Sequence, residues 1–144
     1  VPHEAVFAKM RRFGIGGRCY DFIVALYRRS ICLGYGTGAA FTDPFDLERG
    51  VWQGCPLSCV LFNIFINDLF DNMRYPKVEI LCGTQLKPVL PALGLAGLLF
   101  ANDALGLAST LEKICMLCDH ITDWTEANEM KVGIGKCGIM EYGE

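Results

Sequence analysis

Residues 56–73, PLSCVLFNIFINDLFDNM, constrain this chain more than any other stretch. Pro56 suits the first turn of a helix, where the N–H it lacks has no partner to lose. Leu57, Val60, Leu61, Ile64, Phe65 and Leu69 recur at helical spacing on one side, while Phe62, Ile66 and Phe70 fall elsewhere. A helix apolar nearly all round needs neighbours to cover it, so the spacing predicts a central, buried helix. The chain can supply that cover. It has 144 residues, 52% hydrophobic and 20% charged, which is one domain's length with apolar residues to spare and excludes a disordered chain.

The other elements follow from the same patterning. Val6, Phe7, Met10 and Phe13 predict a helix over 3–13, stopped by Gly14. After the Gly14-Ile-Gly-Gly17 turn, Tyr20, Ile23, Val24, Tyr27 and Ile31 mark a second helix, with Arg28 and Arg29 near its C-terminal end. Residues 34–38 and 41–45 read as short strands around a turn. Their glycines resemble a nucleotide loop only superficially, since no helix follows in register. Residues 75–91 read as loop with one strand, and 93–108 as a hairpin of buried strands. A fourth helix spans 110–128, capped by Thr110 and supported by Glu112, with Leu111, Ile114, Leu117, Cys118, Ile121 and Trp124 inward. Short strands at 130–134 and 138–142 complete an α+β arrangement.

Several function classes fall away. The apolar stretch 88–108 holds two prolines, three glycines and a central Asn-Asp pair, which fits buried strands rather than a membrane span. The N-terminal VPHEAVFAKMRR lacks the apolar core of a signal peptide, and an intracellular location, cytoplasm or nucleus, is expected. The chain also starts without Met, as a piece of a longer protein would. Eight cysteines without a secretion signal read as reduced core thiols. Cys115-x-x-Cys118, with His120 nearby, lacks a second ligand pair at zinc-like spacing.

The net charge of −3 does not point to nucleic acid, but its distribution is uneven. Up to Gly34, Lys9, Arg11, Arg12, Arg18, Arg28 and Arg29 face only Glu4 and Asp21, a balance of +4. The remainder carries seven basic against fourteen acidic residues, or −7. Arg11, Arg12, Arg18, Arg28 and Arg29 could follow a phosphate backbone, or simply form solvated helix faces.

Within the hairpin, LLFANDALGLAS (98–109) sets Asn102-Asp103 between apolar runs. Gly50-Val-Trp-Gln-Gly-Cys-Pro-Leu-Ser-Cys-Val-Leu-Phe-Asn-Ile-Phe-Ile-Asn-Asp-Leu69 resembles the G-V-R-Q-G-x-P-L-S-P-x-L-F-N pattern of non-LTR retrotransposon reverse transcriptases. Leu98-Leu-Phe-Ala-Asn-Asp103 resembles their L-L-[FY]-A-D-D turn, and Lys136-Cys-Gly-Ile-Met140 their K-[CT]-x-x-M segment. Val1-Pro-His-Glu4 resembles the residues just after their first catalytic aspartate. Three motifs in order span most of the chain.

The resemblance implies a partial polymerase palm over 1–144: finger and palm helices with short strands in 1–50, and a palm core in 51–144. Its antiparallel sheet would have helices packed on one face and would lack the first catalytic strand. The family's reaction uses two Mg²⁺ ions held by carboxylates, which supply the hard oxygens Mg²⁺ requires. By the resemblance, Asn102, Asp103 and Lys136 occupy catalytic positions, with Asp103 a weak metal ligand. Gln53, Gly54, Pro56, Ser58, Phe100 and Ala101 occupy nucleotide- and template-binding positions. RNA or an RNA/DNA hybrid is the implied partner.

The departures from the pattern carry equal weight. Asn102 stands where the family has its principal metal-binding aspartate, Trp52 replaces an arginine, and Cys59 a helix-opening proline. The upstream aspartate would precede Val1. The expectation is therefore a degenerate domain that does not polymerise, or a non-enzymatic RNA- or protein-binding module that keeps the palm fold. An unpaired sheet edge would favour self-association. Taken without the frame, Gln53 is a polar residue before a helix, Lys136 a solvated turn lysine and Asp103 a hairpin-turn aspartate.

Overall fold

In the computed structural model, the described residues are 1–29, 43–73 and 93–142, with strand segments 31–32, 78–80, 83–84 and 87–88. The helices are α1 (His3–Arg12), α2 (Gly17–Arg28), α3 (Pro56–Ile66) and α4 (Leu111–Ala127). The strands are β1 (Ile31–Cys32), β2 (Phe45–Asp46), β3 (Val78–Ile80), β4 (Gly83–Thr84), β5 (Lys87–Pro88), β6 (Leu93–Leu95), β7 (Gly97–Phe100) and β8 (Asp103–Gly106).

The core is helical. Val6, Phe7 and Met10 of α1 meet Ile23 and Tyr27 of α2 and Leu61 and Phe65 of α3 in one buried cluster. Helix α1 carries Glu4 in its first turn and Lys9, Arg11 and Arg12 in its last, the polarity its dipole favours. It ends where Gly14 takes φ +76°, a region open to glycine. Helix α4 begins as the sequence predicts, with Thr110 Oγ1 accepting from the Lys113 N–H at 3.3 Å.

The central-helix expectation holds in part. Helix α3 buries Ser58, Leu61, Phe65 and Ile66, but Val60 is 54% exposed. It stops at Ile66 rather than near residue 73. Beyond it the chain tightens into turns, with Leu69 N–H bonded to Ile66 O and Asp71 N–H to Asp68 O, and Asn72 at φ +55°. Asp68, which the long-helix reading leaves on a helix face, instead reaches Lys9 on α1.

The strands depart further from expectation. Among the described residues, all pairing is antiparallel and occurs as four separate ladders, β1–β2, β3–β6, β4–β5 and β7–β8, and a single bridge between Pro2 and Arg49, not one sheet with helices on one face. The predicted 93–108 hairpin divides. Leu93–Leu95 pairs back to Val78–Ile80, Ala96 is a buried bend, and only Gly97–Gly106 forms the hairpin. The described residues within 75–91 lie in three short strands, β3, β4 and β5, instead of one. Ile31, predicted at the end of the second helix, lies in β1; the proposed strand at 34–38 and residues 41–42 fall outside the described residues, and of the described 43–45 only Phe45 is in a strand, β2.

Residues 130–142 form no strand. Ile134–Lys136 is a single 3-10 turn, with Lys136 N–H on Gly133 O at 2.8 Å. Gly133, Gly135 and Gly138 break up the extended runs, and glycine weakens a strand by its entropy. On α4, Leu117 is buried and Ile114, Ile121 and Trp124 half-buried, whereas Leu111 is 75% exposed and Cys118 exposed. The described thiols are free, and Cys19, Cys59, Cys115, Cys118 and Cys137 are exposed and Cys55 half-buried, so they are not core packing. Among the described residues, no helix is long and apolar enough to cross a membrane.

Candidate functional site

The hairpin that carries Asn102 and Asp103 is seated through two glycines. Gly97 and Gly106 are cross-strand partners, so they share one face of the ladder. A Cβ on Gly97 would lie 2.4 Å from Phe70 Cζ, and one on Gly106 would lie 2.2 Å from Leu117 Cδ2. The absent side chains let the hairpin rest on the α3 exit and on α4. Leu98, Phe100, Asp103 and Leu105 alternate onto the opposite face and are all exposed, Phe100 by 81%.

Two residues, Ala101 and Asn102, connect the strands between the Phe100–Asp103 pair. Ala101 sits at φ +50°, which a non-glycine residue adopts at a cost. Asn102 and Asp103 are exposed. The donor set at this tip is one carboxylate and one neutral amide. Among the described residues no three His, Cys, Asp or Glu side chains are grouped to hold a metal ion. These residues do not fit the pair of Mg²⁺ ions that the resemblance implies. His120 is likewise committed elsewhere, its Nε2 bonded to Leu69 O at 2.7 Å.

The second motif forms the loop into α3. Gly50 (φ +97°) and Gly54 (φ +81°) take backbone angles suited to glycine. Cys55 N–H closes the turn onto Trp52 O at 3.2 Å. Gln53, Gly54 and Pro56 are exposed, and Ser58 is buried with its hydroxyl 3.4 Å from that of Tyr27. Lys136 is exposed in its 3-10 turn. Among the described residues, no hydrogen bond or ion pair joins the Gln53 loop, the hairpin tip and the Lys136 turn.

The five arginines do not form one free surface. Arg28 pairs with Glu4 at 2.8 Å, which holds its guanidinium above its ordinary pKa. Arg12 reaches Asp68 at 3.3 Å, and Arg11 lies over the Tyr20 ring at 4.6 Å. Arg18 and Arg29 are exposed, with no ion-pair partner among the described residues.

Sequence reading misses an inner network on the helices. Lys9 Nζ donates to Phe65 O (2.7 Å) and Asp68 Oδ1 (2.6 Å), and sits over the Phe65 and Trp124 rings. Trp124 Nε1–H donates to the same Asp68 oxygen at 3.0 Å. The available signal was Lys9 itself, a cation flanked in sequence by the core residues Val6, Phe7 and Met10.

The chain is thus mixed α+β, with an exposed Gln-Gly turn opening a core helix, followed by a tight hairpin with a polar tip. Residues 1–143 match the family described as reverse transcriptase (RNA-dependent DNA polymerase), and the chain belongs to that family. It is 33% identical over 105 residues to the retrovirus-related Pol polyprotein from type-1 retrotransposable element R2 of Popillia japonica. That alignment covers 73% of this chain and 16% of the polyprotein's length. This is a reverse transcriptase domain of the non-LTR kind. No solved structure matches it.

Proposed function

We propose that the chain is the palm-type segment of a non-LTR retrotransposon reverse transcriptase that has lost nucleotide addition but keeps a surface for an RNA/DNA hybrid. The observation carrying this reading is the exposed Asn102 beside Asp103 at the β7–β8 tip. An amide offers a neutral carbonyl oxygen and no charge to set against a dication, and Mg²⁺ selects hard, anionic oxygens at short range. Gln53 and Gly54, exposed ahead of α3, are the contacts proposed for template and nucleotide, with Pro56 and Ser58 setting the start of that helix. Phe100 and Ala101 flank the tip where a primer end would lie. Such a protein works inside the cell, in cytoplasm or nucleus.

The test is primer extension on an RNA template by the full-length protein, as found and as Asn102→Asp. Background incorporation by the former and measurable incorporation by the latter is the expected result. Extension above background by the protein as found would sink the reading. A second reading, a non-enzymatic RNA-binding module, is favoured by the exposed Arg18 and Arg29. It expects RNA affinity that falls steeply with salt, because phosphate contacts release counterions, and unchanged by Asn102→Asp.

A further inference from the structure

The loop that presents Gln53 has little packing of its own. Nothing lies within 4 Å of a Cβ built on Gly50 or Gly54, and both residues are at positive φ. Loops of this composition are free to move unless other groups hold them. At its start the Gly50 N–H bonds to Val1 O at 2.7 Å, and Arg49 bridges to Pro2 and pairs with Glu129; around Gln53 itself three aromatic residues, two of them outside the loop, supply the hold.

His3 Nε2 lies 2.8 Å from Gly50 O; a carbonyl only accepts, so Nε2 carries the hydrogen in this contact. The same residue's backbone N–H donates to Glu48 O at 3.1 Å. The His3 ring stands edge-on to Tyr27, centroids 5.0 Å apart at 80°. Tyr27 in turn stacks on Trp52 at 5.1 Å and 16°, and its hydroxyl meets Ser58 Oγ at 3.4 Å. Offset ring pairs at these separations are attractive beyond the area they bury. His3 and Tyr27 are only 8% and 2% exposed, so the rings form a fixed wall of the core. Trp52, the residue immediately before Gln53, is the one loop side chain stacked on that wall.

We propose that His3, Tyr27 and Trp52 are positioning residues, an aromatic clasp that sets the Gln53–Gly54 turn in the conformation that meets nucleic acid. The clasp acts at both ends of the turn: His3 at Gly50, Tyr27 through Trp52 on one side of Gln53 and through Ser58 on the other. Its role in binding rests on the proposed contact of Gln53 with template. Trp52 stands where the family pattern has arginine, and its indole is turned inward onto Tyr27.

Two readouts on the full-length protein test this. The ligand is an RNA–DNA hybrid with a recessed 3′ end. Gln53→Ala should weaken its binding about tenfold, the upper range for one hydrogen bond. In a Tyr27→Leu background the same change should cost less than about twofold, because the turn is already released; in Tyr27→Phe, which keeps the ring, the full factor should return. Independently of ligand, tryptic cleavage after Arg49 should accelerate in Tyr27→Leu and remain slow in Tyr27→Phe. Trp52→Leu, at a half-buried position, repeats both measurements if Tyr27→Leu fails to fold. An undiminished Gln53→Ala effect without the stack overturns the clasp. If Gln53→Ala has no effect in the parent, the proposed role of Gln53 falls, and the clasp stands or falls on the cleavage rate.

Discussion

Lys9 and Asp68 form an ion pair, Nζ to Oδ1 at 2.6 Å, enclosed by the rings of Phe65 and Trp124. The two side chains are 11% and 19% exposed, so neither charge is well solvated. The pair ties α1 to the turn after α3, and Trp124 Nε1 adds α4 to the same carboxylate. Removing Asp68 leaves the buried ammonium without an anionic partner, whereas replacing Lys9 by Met leaves the Asp68 carboxylate with Arg12 at 3.3 Å and the Trp124 Nε1–H at 3.0 Å. Asp68→Ala should therefore cost about 3 kcal/mol and Lys9→Met less, about 1–2 kcal/mol. Urea denaturation of both variants checks this, and equal losses would contradict it.

The same pair gives a pH dependence with a definite sign. Burial lowers the pKa of Lys9 below its ordinary 10.5, and the hydrogen bond and charge of Asp68 oppose that without cancelling it. Unfolded, the lysine titrates at its ordinary value. Between the two pKa values the unfolded chain binds more protons than the folded one, so stability rises with pH there. Below that window both states are protonated and the desolvation cost is carried in full; above it the cost is gone. Lys9→Met lacks this contribution. The stability of the parent relative to Lys9→Met should accordingly increase as pH is raised towards 10.5, and urea midpoints at several alkaline pH values measure the difference. A difference that stays flat or shrinks would overturn the assignment.

Gly97 and Gly106 should respond differently to alanine although they face each other across the ladder. At Gly97 the new methyl meets the Phe70 ring at 2.4 Å and the backbone Leu105 O at 2.6 Å, and neither gives way easily. At Gly106 it meets the end of the Leu117 side chain, which can change rotamer. Gly97→Ala should lose about 2–3 kcal/mol and Gly106→Ala about 1 kcal/mol, the range of overpacked cores. Thermal melts of the two variants give the order, and the reverse order would show that the hairpin does not sit on Phe70.

How legible each element is in the sequence depends on the range of the interaction that sets it. Helices α1, α2 and α4 begin and end within a few residues of their predicted limits because Gly14, Gly16 and Thr110 act locally. The α3 exit was misread because Asp68 answers to Lys9, 59 residues away, and no periodicity reports that. The strands at 130–134 and 138–142 were misread because β-rich composition cannot provide a partner. At the candidate site, the identities of Gln53, Asn102 and Asp103 were legible as motifs. Their support was not, since His3 and Tyr27 register in the pattern only as an N-terminal polar residue and a core aromatic.

Ala101 offers the most direct test of how the hairpin tip is built. Its φ of +50° places a Cβ in the left-handed region, where an ordinary residue costs roughly 1 kcal/mol and glycine almost nothing. Glycine also has more unfolded conformations to lose, which works against the substitution by up to about 1 kcal/mol. Relief of strain should win narrowly or break even, so Ala101→Gly should change stability by no more than a few tenths of a kcal/mol, in contrast to Ala→Gly at Ala104 in the strand. Ala101→Val, with a branched side chain at positive φ, should lose about 1–2 kcal/mol. If Ala101→Val is as stable as the parent in urea denaturation, Ala101 does not hold the left-handed conformation, and the two-residue turn that presents Asn102 and Asp103 has a different backbone.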